Sequence, residues 1–194
     1  MALKPKLKSV YEPHFLCSPL LTFPQQLLKQ ALFVYNGEWE ALRMSCEMPG
    51  MTLKAIGIVR NEVKQPPKRD WGKVVSDIII NRDLAEALEG LEEFSRIIVL
   101  YWMHQVATTT QLPCKIHPRG KQELPLVGRF ATRSPSRPNP IGKATVKLLE
   151  RHGNILKVKG LDAIDGTPVI DIKPYIPEYD SAADAEVPPW VTNQ

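Results

Sequence analysis

Residues 144–161 read ATVKLLERHGNILKVKGL. Ala144, Val146 and Leu148 alternate with Thr145 and Lys147, and Leu156 and Val158 alternate with Lys157. That period of two is the mark of strands with one buried face. Arg151-His152-Gly153-Asn154 lies between them, with turn residues where a hairpin needs them. Two strands joined this tightly run antiparallel, because a parallel pair needs a crossover of a dozen residues or more.

Working outward, further strands are predicted at 53–60, 74–80, 96–103, 125–131 and 168–173, many rich in β-branched residues and bounded by Gly, Pro or Asn. One helix is predicted over Asp83–Phe94, capped by Asn81 or Asp83, with Leu84, Leu88 and Leu91 on its apolar side. Helices do not alternate with strands. The expected fold is mostly β: a small antiparallel or mixed β-barrel with one or two short helices and an N-terminal extension. Residues 1–50 are punctuated by Pro5, Pro13, Pro19 and Pro24 and hold one further amphipathic segment, Gln25–Tyr35. The expected division is an extension over 1–50, a barrel domain over 51–180 and a tail over 181–194, with Met51 as the start of a self-sufficient domain.

At 194 residues and 43% apolar content the chain suits one sizeable soluble domain plus an appendage. No apolar run approaches a membrane span, and a secretory signal is not expected from the first residues. The cysteines, Cys17, Cys46 and Cys114, are odd in number and scattered, which fits neither a disulfide framework nor a zinc site. The expectation is a cytoplasmic protein without metal or membrane. The net charge is +4, but Pro113–Arg151 alone carries +7 and the remaining residues −3. Such a basic band suits an anionic partner such as RNA, or else a solvated face.

Within that band lies GRFATRSPSRPNPIG, residues 128–142. Pro135, Pro138 and Pro140 have φ fixed by their rings, and Ser134, Arg137 and Asn139 are restricted because each precedes a proline. A loop this stiff can hold Arg133, Arg137 and Asn139 in a defined arrangement. The chain carries no glycine fingerprint for dinucleotides, no phosphate loop and no nucleophile elbow. His104-Gln105 ends the most apolar strand, at the rim of a barrel. Asp162-Ala-Ile-Asp165-Gly166-Thr167-Pro168 is turn chemistry between two strands.

Together, EEFSRIIVLYWMHQ (92–105), GRFATRSPSRPNPIG (128–142) and LDAIDGTPVIDIKPYIP (161–177) closely resemble the TrmO family over roughly residues 53–180. The resemblance implies a β-barrel S-adenosylmethionine-dependent methyltransferase that modifies N6-threonylcarbamoyladenosine beside the tRNA anticodon. It implies a homodimer with the cofactor near the subunit interface. By position it implies a cofactor site of His104, Gln105, Arg133, Lys143, Asp165, Gly166 and Thr167, with Arg69-Asp70-Trp71-Gly72 as a further contacting loop. Lys143 stands where the family has an apolar residue, so a backbone contact survives there and a side-chain contact does not.

Methylation of a carbamoylated adenine nitrogen requires its proton to leave, and a nearby carboxylate can accept it. Asp165 is the first candidate and Asp162 the second. Arg137 and Asn139 are expected to grip carboxylate, carbonyl or phosphate oxygens, and Phe130 and Trp71 to stack on adenine or to pack in the core. Two alternatives stand beside this reading. One is a barrel that methylates a different acceptor, motivated by residues 1–50 and Lys143. The other is a non-catalytic RNA-binding barrel, motivated by the basic band.

Overall fold

The computed structural model describes residues 50–65, 70–106 and 112–192. The predicted Gln25–Tyr35 helix and Arg69 lie outside them. The compact unit that holds the barrel runs from Met51 to Gln194.

The described residues form eight strands: β1 (Gly57–Arg60), β2 (Val75–Ile80), β3 (Arg96–Trp102), β4 (Lys115–Ile116), β5 (Val127–Gly128), β6 (Ile141–His152), β7 (Ile155–Lys159) and β8 (Pro168–Pro174). Six of them close a barrel in the order β1-β2-β7-β6-β3-β8, and every pairing in it is antiparallel. The remaining two, β4 and β5, form a separate two-stranded sheet. Closure leaves the barrel without an unpaired edge. Val59, Ile78, Ile97, Val99, Val146, Leu156, Val158 and Val169 point inward and are fully buried. Each such aliphatic side chain contributes about 1.5–3 kcal/mol relative to exposure. The β6–β7 hairpin turns through Gly153, whose φ of 58° suits glycine.

Two predicted elements take other forms. The segment 83–94 is not an α-helix. It forms 3-10 stretches at Arg82–Leu88 and Leu91–Glu93, with Asn81 as the cap of the first. Gly90, at φ 81°, breaks it, and Arg151 from β6 takes the Ala85 carbonyl at 3.2 Å and both Glu92 carboxylate oxygens. Leu84 is 39% exposed, so the expected apolar face is not used as a whole. The predicted strand 125–131 is confined to β5. Beyond it Arg129 is buried, and its guanidinium donates to the carbonyls of Pro113 and Ser136. That inward turn ends the strand and ties the small sheet to the proline loop.

Candidate active site

The end of β3 carries Tyr101 inward and hands the chain to Met103-His104-Gln105. Met103 N–H donates to Pro140 O at 2.8 Å, which fixes this turn against the end of the proline loop. The pairing of β3 with β8 shifts register between Leu100 and Tyr101. Such a bulge re-aims the side chain that follows it. The Tyr101 hydroxyl donates to the Asp162 carboxylate at 2.7 Å and also lies 3.1 Å from the Asp162 carbonyl oxygen. Burial, then the adjacent Asp162 charge, push the Tyr101 phenol well above its usual range, so it stays a donor.

A cavity of about 420 Å³ opens at this rim, walled by Trp71, Tyr101, Met103, His104, Gln105, Val106, Arg133, Pro135, Thr167 and the Asp162–Ile164 segment. The predicted residues Trp71, His104, Gln105, Arg133 and Thr167 therefore converge from four separate stretches of sequence. Arg133 is held by a 3.1 Å bond from its Nη2 to the Lys143 carbonyl. Lys143 itself does not line the cavity; its carbonyl braces Arg133. Its ammonium lies on the outer face of the barrel, 3.3 Å from Thr145 Oγ1. Gly166, at φ 78°, brings the turn under His104, with Nε2 4.0 Å from where a β-carbon would stand.

Other predicted residues are placed differently. Asp165 is not in the cavity wall. Its Oδ1 accepts from Asn61 N–H at 3.1 Å and its Oδ2 from Lys64 Nζ at 2.6 Å, with Arg60 at 3.6 Å. The Lys64 bond first, then the Asn61 N–H and the Arg60 charge, hold its carboxyl below the usual aspartate range. A carboxylate so engaged is a poor proton acceptor. It staples the loop after β1 to the turn before β8, beside Asn61, which itself bridges Ser76 and Ala163. Asp162, the second candidate, does line the cavity. Arg137 folds back on its own loop: Nη1 donates to Thr132 O at 2.8 Å, and the guanidinium stacks over Phe130 at 5.6 Å. Asn139 is exposed, and its carbonyl accepts from Ile141 N–H. Neither lines the cavity. Asp70 caps the Trp71–Lys73 turn, accepting from Gly72 N–H at 2.9 Å, and faces a different cleft.

Sequence reasoning missed Tyr101 as a site residue. Its signal was a lone phenol among aliphatics on the most apolar strand. The site offers a guanidinium for a carboxylate, an aromatic face on Trp71, a thioether wall from Met103 and the carboxylate of Asp162 for a cation or a proton. This donor set fits a ligand that combines a carboxylate, a positive centre and a flat base. Among the described residues, no group of three or more His, Cys, Asp or Glu side chains is arranged to hold a metal ion, and no helix is long and apolar enough to cross a membrane.

Residues 61–181 match the family model TrmO_N, described as the tRNA-methyltransferase O N-terminal domain. A "Probable S-adenosyl-L-methionine-binding protein" of Methanothermobacter thermautotrophicus is 44% identical over 133 residues, covering 66% of this chain and 93% of the relative. The "tRNA (adenine(37)-N6)-methyltransferase" of Escherichia coli is 38% identical over 151 residues, covering 71% of this chain and 63% of that protein. The crystal structure of TrmO from Pseudomonas aeruginosa superposes with a TM-score of 0.57 at 31% identity, covering 71% of this chain and 62% of that one. The chain thus spans under two thirds of the length of these last two proteins.

Proposed function

Because the chain belongs to the TrmO family, we propose that it is an S-adenosylmethionine-dependent methyltransferase acting on tRNA. We propose further that the acceptor is the N6 nitrogen of N6-threonylcarbamoyladenosine beside the anticodon. The observation that carries this reading is the convergence of Trp71, His104, Gln105, Arg133, Asp162 and Thr167 on one cavity at the barrel rim.

The donor, when bound, supplies an activated methyl group on a sulfonium. The protein's part is to orient and to manage charge. Arg133, braced by the Lys143 carbonyl, is placed to pair with a carboxylate. Trp71 offers a stacking face for a base. Asp162 sits with one oxygen fixed by Tyr101 and is the carboxylate of the cavity wall, suited to take the proton that the acceptor nitrogen must lose. Arg137 and Asn139 act as supports of the proline loop in this reading, because their partners are its own backbone.

An RNA partner is supported by the outer face of the barrel. Arg96, Lys147 and Lys159 are direct cross-strand neighbours on β3, β6 and β7, and all three are exposed. Like charges opposed in this way destabilise the free protein, and a polyphosphate chain relieves the repulsion. The same reading places the protein in the cytoplasm as a homodimer. Exposed Phe130 and Ile141, at the two ends of the loop that carries Arg133, offer apolar surface for a second copy. Comparing tRNA nucleosides from cells with and without the gene tests the assignment. The methylated nucleoside should vanish with the gene and return with it. Unchanged tRNA would favour a different acceptor.

A further inference from the structure

A second cavity, of about 570 Å³, lies on the other side of the proline loop. Arg133 and Pro135 line both, so one turn of that loop is their shared wall. The far side of this second cavity is built by the Pro118–Gly120 turn and by the helix α1 (Pro189–Thr192), which presents Trp190 and Val191. Among the described residues its lining carries His117, Arg119 and Arg133 and no carboxylate. The cleft near Asp70, in contrast, mixes lysines with Glu62, Asp70 and Asp77.

Arg119 has φ 55°, and among the described residues it is the one non-glycine with positive φ. Glycine or asparagine holds that backbone more readily. The strained turn puts a guanidinium at the cavity instead. His117 is fixed too: its Nδ1 donates to the Leu124 carbonyl at 2.7 Å, which leaves Nε2 as an acceptor in the neutral ring. Guanidinium groups, an indole and an apolar floor of Ile116 and Pro118 are the chemistry that recognises a nucleotide: phosphate by guanidinium, base by stacking.

We propose that this cavity binds a nucleotide adjoining the methylated one on the acceptor RNA, with Trp190 as its stacking face and Arg119 as its phosphate ligand. The proposal rests on the RNA acceptor proposed above. It goes beyond it by assigning a second subsite, one wall of which, Trp190 and Val191, lies outside the matched residues 61–181.

The test uses the full chain and a labelled single-stranded RNA of anticodon-loop length. Its affinity is measured by fluorescence anisotropy for the wild type, Trp190→Ala and Arg119→Gly, alongside calorimetry with S-adenosylmethionine. Arg119→Gly suits the left-handed backbone, so it removes the guanidinium without loss of folding. Each variant should weaken RNA binding about tenfold and leave the affinity for S-adenosylmethionine unchanged. RNA affinity unchanged in both variants, no RNA binding by the wild type, or adenosine monophosphate binding as tightly as the RNA would each overturn the subsite. The two proposals fail separately. Unchanged variants of an enzyme that methylates tRNA refute the subsite alone. Weakened variants of a protein that does not methylate tRNA refute the acceptor alone.

Discussion

Gly142 lies against the face of Tyr101. The two are register partners on β6 and β3, and a β-carbon on Gly142 would stand 2.2 Å from the ring. The ring can occupy that position only because residue 142 has no side chain. From there its hydroxyl reaches Asp162 across 61 residues of sequence. Gly142→Ala should therefore displace the phenol and destabilise the fold by about 1–3 kcal/mol through overpacking. Urea denaturation measures the loss, and methyl transfer should fall with it. Tyr101→Phe, which keeps the ring and drops only the hydroxyl, should cost about 1 kcal/mol and lower kcat by releasing Asp162.

Asp162 and Asp165 lie three residues apart and should respond oppositely to the same substitution. Asp162→Asn can still accept the Tyr101 bond, so the fold should hold while kcat falls about 100-fold or more, with the KM for S-adenosylmethionine little changed. Asp165→Asn should lower stability and leave kcat largely intact. Steady-state kinetics and thermal melts on both variants separate the two roles.

The Asp165 effect has a defined pH dependence. Its folded-state pKa lies below the ordinary value, so the unfolded chain binds the proton more readily. The stabilisation is present above about pH 4, the ordinary aspartate value, and is lost as pH falls through the lower folded-state value. The Tm difference between wild type and Asp165→Asn should be largest near neutrality and shrink in acid. A difference that grew in acid would contradict the Lys64 and Arg60 pairing.

Arg133→Ala should raise the Kd for S-adenosylmethionine about tenfold or more, because a charge-assisted bond to its carboxylate is removed. Arg133→Lys should not restore it. A lysine has no planar fork with which to bridge the Lys143 carbonyl and a ligand at once. Calorimetry on the two variants is the measurement.

Lys147 lies between Arg96 and Lys159 in the cross-strand row. Lys147→Glu should stabilise the free protein by about 0.5 kcal/mol and at the same time weaken tRNA binding. The slope of log affinity against log salt should fall by about 1 or more. A gain in stability without loss of tRNA affinity would remove this face from the RNA contact.

Much of the barrel was legible because inward and outward residues alternate along β6 and β7, and because Gly153 supplies the turn between them. The 83–94 segment was misread, since its leucine spacing suits a helix while Arg151, distant in sequence, captures Ala85 and Glu92. The end of β5 was misread because burial of Arg129 depends on two carbonyls that no local pattern announces. In the site, the family resemblance identified His104, Gln105, Arg133 and Thr167, and these do meet at the cavity. The sequence reading ranked Asp165 above Asp162, and the geometry reverses that order, because the difference lies in their partners, Tyr101 for one and Lys64 and Arg60 for the other. Of the three polar residues named on the proline loop, Arg133 alone lines the cavity. Arg137 is consumed by Thr132 and Phe130.

The most direct test is methyl transfer from isotope-labelled S-adenosylmethionine to tRNA that carries N6-threonylcarbamoyladenosine, followed by digestion and mass spectrometry of the nucleosides. The expected result is one labelled methyl group on N6 of that nucleoside, with the signal reduced about 100-fold or more in Asp162→Asn. Label on another nucleoside, no label on tRNA, or full activity in Asp162→Asn would contradict the account.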